Sequence, residues 1–108
     1  MTIDKFDFTD ADLLERIEQG RLDVLEKAKK IEEDNTIKPV EGIRQECKLL
    51  RDFLDYVFGE GTSENNIKNK NSLRECIKVY EDVFKERDRQ LNNLSEVMNK
   101  YSPERVQR

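Results

Sequence analysis

Histidine and tryptophan are absent from the 108 residues, and cysteine occurs only twice. Without imidazole the chain can build neither a Ser/His nor a Cys/His nucleophile pair, nor the usual imidazole metal site. Cys47 and Cys76 lie far apart, lack a CxxC partner, and fall at apolar positions of helical patterns. They read as small, reduced, buried thiols. No stretch approaches the roughly 18 consecutive apolar residues of a membrane span, and the opening "MTIDKFDF" has neither a basic n-region nor an apolar run. The expectation is a soluble cytoplasmic protein. An excess of basic charge is also missing. The 20 Lys and Arg against 24 Asp and Glu leave −4, which gives no general attraction to nucleic acid.

What is present is charge and helical periodicity. Charged residues make up 41% and hydrophobic residues 35%, a lean apolar share for a globular monomer. The apolar residues nevertheless fall in sharp periodic rows, which favours long amphipathic helices over disorder. A chain of this length forms one domain with one modest core. Its charge is divided unevenly: residues 1–64 carry 10 basic and 17 acidic side chains (−7), and residues 65–108 carry 10 and 7 (+3). The two parts should attract each other, within one chain or between copies.

"TIDKFDF" alternates, with Phe6 and Phe8 on one side, and predicts a short extended arm over residues 1–9. Thr9 is the expected N-cap of a first helix over 10–33, with Asp10 and Asp12 near the positive end of its dipole. That helix repeats Leu13/Leu14, Ile17, Val24/Leu25, Ala28 and Ile31 on one face. Gly20 marks either a close helix crossing or a tolerated surface position. Pro39 belongs in the first turn of a second helix over 39–58, whose row runs Val40, Ile43, Cys47, Leu50, Leu54 and Val57. Gly59 then stops the helix, because a left-handed conformation there carries no Cβ penalty.

Residues 59–71 read as a corner loop. Ser72 and Glu75 form a capping box that opens a third helix over 72–101. Its row of Leu73, Ile77, Tyr80, Phe84, Leu91, Leu94, Met98 and Tyr101 is broken only by Arg87, and Pro103 then discourages helix before a basic tail, 102–108. The fold class is therefore all-α: three long amphipathic helices in a bundle-like arrangement with a short extended N-terminal arm.

About 28 helical residues at 1.5 Å each make the third helix about 42 Å long, whereas a compact domain of this size has a radius of gyration of roughly 13 Å. Unless the first helix lies alongside, Leu91, Leu94, Met98 and Tyr101 overhang and form a partner surface for self-association or for a bound helix. Arg105 and Arg108 in the tail can pair with a partner's carboxylates.

The loop "GEGTSENNIKNKNS" is no phosphate cradle, since a helix precedes it and it has no terminal Lys-Ser/Thr pair. "DNTIKPVEGIRQE" lacks the oxygen spacing of a calcium loop, and Glu32, Glu33 and Asp34 read as a solvated helix end. No metal, cofactor or catalytic residue is assigned. Lys68, Lys70 and Arg74 at the start of the third helix form the one basic cluster that DNA could use.

Three segments occur together here: "FDFTDADLLERIE" after the arm, "FGEGTSENNI" between two helices, and "YSPERVQR" at the end. In this the chain resembles a family of small proteins encoded among the tail genes of phages and prophages of Firmicutes. The resemblance implies an all-helical tail assembly chaperone or related accessory protein, whose apolar helix faces shield a tape-measure or tail-tube subunit, with homo-oligomers expected. By match, Phe58, Gly59, Gly61 and Thr62 are the family's corner; Tyr101, Ser102, Pro103, Arg105, Gln107 and Arg108 are its terminus. The chain departs from that pattern after Ile67, where "KNKN" replaces an aromatic anchor and a second glycine turn, and residues 68–71 are expected to be mobile. The alternative is a phage regulatory or DNA-associated helical protein. A secreted helical hairpin of the Trp-X-Gly type is disfavoured by the missing tryptophan and by three helices instead of two.

Overall fold

Asp10, and not Thr9, caps the first helix of the computed structural model, which describes residues 2–101. The Asp10 carboxylate accepts the N–H groups of Asp12 and Leu13 at 2.8 and 3.2 Å, satisfying two of the helix's orphan donors. Thr9 is otherwise engaged: its N–H and its hydroxyl both donate to Asp7 Oδ1, at 2.9 and 2.5 Å. Helix α1 (Ala11–Glu33) buries Leu13, Ile17, Gly20 and Val24. Leu25 departs from the expected row and is 51% exposed.

Helix α2 (Pro39–Phe58) begins with Pro39 in its first turn and buries Cys47, Leu50, Phe53, Leu54 and Val57. The expected row overreaches at its start, because Val40 and Ile43 are exposed. The two helices pack antiparallel: Gly20 faces Phe53 and Tyr56, and Arg16 Nε donates to the Val57 carbonyl at 3.0 Å. A Cβ at Gly20 would lie 2.8 Å from a Phe53 ring carbon. Gly20 therefore marks a close crossing.

The corner is more structured than a loop. Gly59 and Gly61 have φ of 110° and 91°, a region open to glycine at little cost. They redirect the chain into a five-residue helix, α3 (Thr62–Asn66). Asp55 on α2 fastens it, accepting the Ser63 N–H at 2.8 Å and the Ser63 hydroxyl at 3.0 Å. Ile67 is buried. Within the segment expected to be mobile, Asn69 Oδ1 accepts the Asn71 N–H at 3.1 Å and the Asn69 carbonyl accepts the Ser72 N–H at 3.0 Å.

Helix α4 (Leu73–Tyr101) opens with half of the capping box. Ser72 Oγ accepts the Glu75 N–H at 3.3 Å, but the Glu75 carboxylate takes the Asn69 N–H at 3.4 Å instead of returning to Ser72. Its register against α2 gives its direction. Cys76 adjoins Cys47, the rings of Tyr80 and Phe84 lie 4.9 and 6.2 Å from Phe53, and Gln90 is tied to the two phenylalanines that pack on Phe58. Positions rise together on both helices, so α2 and α4 run parallel. Residues 59–72 are thus a return crossover along α2.

The N-terminal arm is not extended throughout. Residues Ile3–Lys5 form one 3₁₀ turn, closed by the Lys5 N–H on the Thr2 carbonyl at 3.1 Å. No strand is present among the described residues, so the arm has no sheet to join and satisfies part of its backbone locally. Ile3, inside that turn, and Phe8, beyond it, are both buried in the core, so the arm does not keep the strict alternation of a strand. One continuous core unites the arm, α1, α2, the crossover and α4. The Cα radius of gyration is 17.1 Å and the principal extents are 60 × 28 × 20 Å.

Candidate interaction surface

Gln90 joins the arm to α4. Its Oε1 accepts the Phe8 N–H at 2.9 Å, while Nε2 donates to the Phe6 carbonyl at 3.0 Å and to Glu86 at 2.6 Å. One carboxamide thereby meets a donor and an acceptor of an arm with no other secondary structure at that point. Phe6 and Phe8 then hold Phe58, with ring centroids 4.6 and 5.8 Å away. Sequence reasoning missed Gln90, because glutamine is common on exposed helix faces and the partner lies 82 residues away.

Beyond this clasp α4 continues for eleven residues, about 16 Å. Leu91, Leu94 and Met98 follow one another on one face and are half-buried; Val97 beside them is 54% exposed. Among the described residues, the partly buried side chains packed on the core are Phe6, Leu49, Phe58, Leu73, Val79, Tyr80 and Phe84, and the row after Gln90 is not among them. Arg87, the break in that row, lies 5.1 Å from the Phe84 ring centroid, a cation–π contact that lets the charge sit on an aromatic face. The side chain of Tyr101, and Ser102, Pro103, Arg105, Gln107 and Arg108 of the basic tail, lie outside the described residues.

The corner residues come together as a structural lock. Phe58 is held by the arm, Gly59 donates its N–H to the Asp55 carbonyl at 3.0 Å, and the buried Thr62 donates its hydroxyl to the Gly59 carbonyl at 2.7 Å. Their chemistry is spent inside the fold.

A groove of about 290 Å³ opens elsewhere, between α1 and α4 over a floor from α2. Val24, Ala28, Leu49, Leu50, Ile77 and Tyr80 line it, and Glu32, Glu46 and Glu81 stand at its margin. Burial, and then the neighbouring Glu32 charge, push the Glu46 carboxyl above its ordinary value. No single helix carries this groove in its periodicity, so the sequence gives no signal for it.

The basic cluster is less coherent than its spacing suggests. Lys68 and Lys70 share a recess of about 380 Å³ with Arg51, Ser63 and the opposing charge of Glu64, while Arg74 does not line it. The Nε of Arg51 is buried there without a hydrogen-bond partner among the described residues. Burial and the adjacent Cys47 push the Cys76 thiol up to about 11, so it stays protonated at neutral pH. Among the described residues no group of three or more His, Cys, Asp and Glu side chains is placed to hold a metal ion.

No curated protein and no solved structure matches the chain. A family profile does match, over residues 2–108, and the chain belongs to that family, DUF6673, a family of unknown function.

Proposed function

We propose that the chain is a non-catalytic binding protein of phage tail morphogenesis, which covers apolar surface on a tape-measure or tail-tube subunit in the host cytoplasm until that subunit assembles. The observation that carries the binding role is the end of α4: a row of Leu91, Leu94 and Met98 with Val97 beside it, on a helix continuing past the Gln90 clasp. Support for tail assembly comes from the likeness of the arm, corner and terminal segments to small proteins encoded among tail genes. No helix among the described residues is long and apolar enough to cross a membrane, which suits a helix face presented to a protein client.

Covering an apolar side chain completely gains about 1.5–3 kcal/mol. Leu91, Leu94 and Met98 are already partly covered, so completing the burial of the row supplies only a few kcal/mol, at the low end of the ~4–15 kcal/mol that association costs. The contact is reversible, as a shield that must later be released requires. The charges of Arg105 and Arg108 in the sequence favour a partner with carboxylates, and such charges steer encounter more than they deepen affinity.

Co-expression with the tape-measure protein, and separately with the tail-tube subunit, tests the proposal. At least one should be kept soluble and co-purify with the chain, and joint Leu94→Asp and Met98→Asp substitution should cut the retained amount at least tenfold. Retention of neither subunit by the wild-type chain would overturn the role.

A further inference from the structure

The groove between α1 and α4 and the far end of α4 have complementary chemistry. We propose that they form one contact, in which the C-terminal end of α4 of one copy lies in the groove of a second copy. The floor of the groove is apolar, with Ile77 left 41% exposed on its wall. At its margin Glu32, Glu46 and Glu81 form no ion pair among the described residues, and Glu46 is disturbed by both its burial and the charge of Glu32. An apolar floor with unneutralised carboxylates at its edge fits a helix that is apolar on one face and cationic at its end.

The end of this chain has that composition. Leu91, Leu94, Val97 and Met98 lead into Lys100, Arg105 and Arg108, three cations against the two acids Glu96 and Glu104 over residues 91–108. The chain cannot fill its own groove with this segment. Ile77 and Leu94 are 17 residues apart on one continuous helix, about 25 Å. The seven residues after Tyr101 span at most about 25 Å, and Tyr101 itself is about 36 Å from Ile77 along the helix. The chain's own end is thus excluded, and the occupant is the same segment of a second copy, which competes with a tail subunit for the row of Leu91, Leu94 and Met98.

The groove and the helix end are different surfaces, so the contact is heterologous, and its repetition produces a ring if the rotation closes and an open chain if it does not. This inference does not depend on a role in tail assembly. A chain that self-associates in this way but retains no tail subunit loses that role alone, and a monomer that retains one loses this contact alone.

Sedimentation of the full chain over a concentration series, with two variants, tests it. One variant carries Leu94→Asp and Met98→Asp at the helix end. The other reverses the groove margin by Glu32→Lys and Glu81→Lys at exposed positions, and circular dichroism checks that both variants keep their helix content. The wild-type chain should form oligomers that grow with concentration. Each variant alone should associate at least tenfold more weakly. An equimolar mixture of the two should recover a dimer and nothing larger, because only one intact groove and one intact end remain to meet. A wild-type chain that stays monomeric assigns the groove to a different protein and overturns the proposal. It is equally overturned if margin reversal leaves the oligomers intact, or if the mixture fails to form the dimer.

Discussion

Gln90 sits among Arg89, Asn92 and Asn93 with nothing in its neighbourhood to distinguish it, yet it holds the arm to α4. Gln90→Ala should leave the Phe8 N–H and the Phe6 carbonyl without these partners, destabilising the fold by about 1–3 kcal/mol in urea unfolding. It should also make the bonds around Phe6 to Phe8 susceptible to proteolysis in the folded protein. An unchanged midpoint with an uncut arm would mean that the clasp contributes nothing. The same limit on local information explains the helix cap. Thr9 and Asp10 are both competent caps, and the choice is made by Asp7, which occupies the Thr9 hydroxyl and leaves Asp10 to meet the first turn. Gly20 was undecided for a related reason. Only the position of the Phe53 ring, 33 residues away, shows that the site has no room for a methyl group.

Among the elements, the long helices were legible because their apolar repeats, Pro39, Gly59 and Ser72 all act within a few residues. The expected spans 10–33, 39–58 and 72–101 accordingly lie close to Ala11–Glu33, Pro39–Phe58 and Leu73–Tyr101. The direction of α4 was not legible. A corner of this composition could close a hairpin or begin a crossover, and the decision rests on Asp55 binding Ser63 and on the burial of Ile67. The parallel pairing of α2 and α4 places two thiols against each other, and that pairing has a pH signature. Burial and Cys47 raise Cys76 from an ordinary 9.0 to about 11, so the folded chain keeps a proton that the unfolded chain releases first. This contribution to stability is complete below about pH 9 and is lost as pH rises toward 11. Urea midpoints of the wild type and of Cys76→Ala should differ by an amount that changes across this window. A constant difference would show that the thiol is not shielded as described.

For the whole molecule, the length of α4 already implied that it would outgrow a compact bundle, and the extents of 60 × 28 × 20 Å agree. Which part overhangs depended on the helix directions and on Gln90, neither of which periodicity supplies. Of the site residues read from sequence, Leu91, Leu94 and Met98 share the end of α4, whereas the groove remained hidden because three helices are needed to make it. X-ray scattering from the Leu94→Asp, Met98→Asp variant, taken as a monomer, should give a radius of gyration near 17 Å. A value close to the roughly 13 Å of a compact domain would mean that α4 folds back on the bundle. The clasp at Gln90 also orders events in time. Phe8 leaves the ribosome 82 residues before Gln90, which at roughly 5–20 residues per second is a delay of about 4–16 s. Phe58 emerges within that interval, but the amide that receives the arm does not exist until residue 90 has been made. Phe6 and Phe8 are thus made long before they can be secured, and a nascent chain stalled before residue 90 presents two unclasped phenylalanines to the cell.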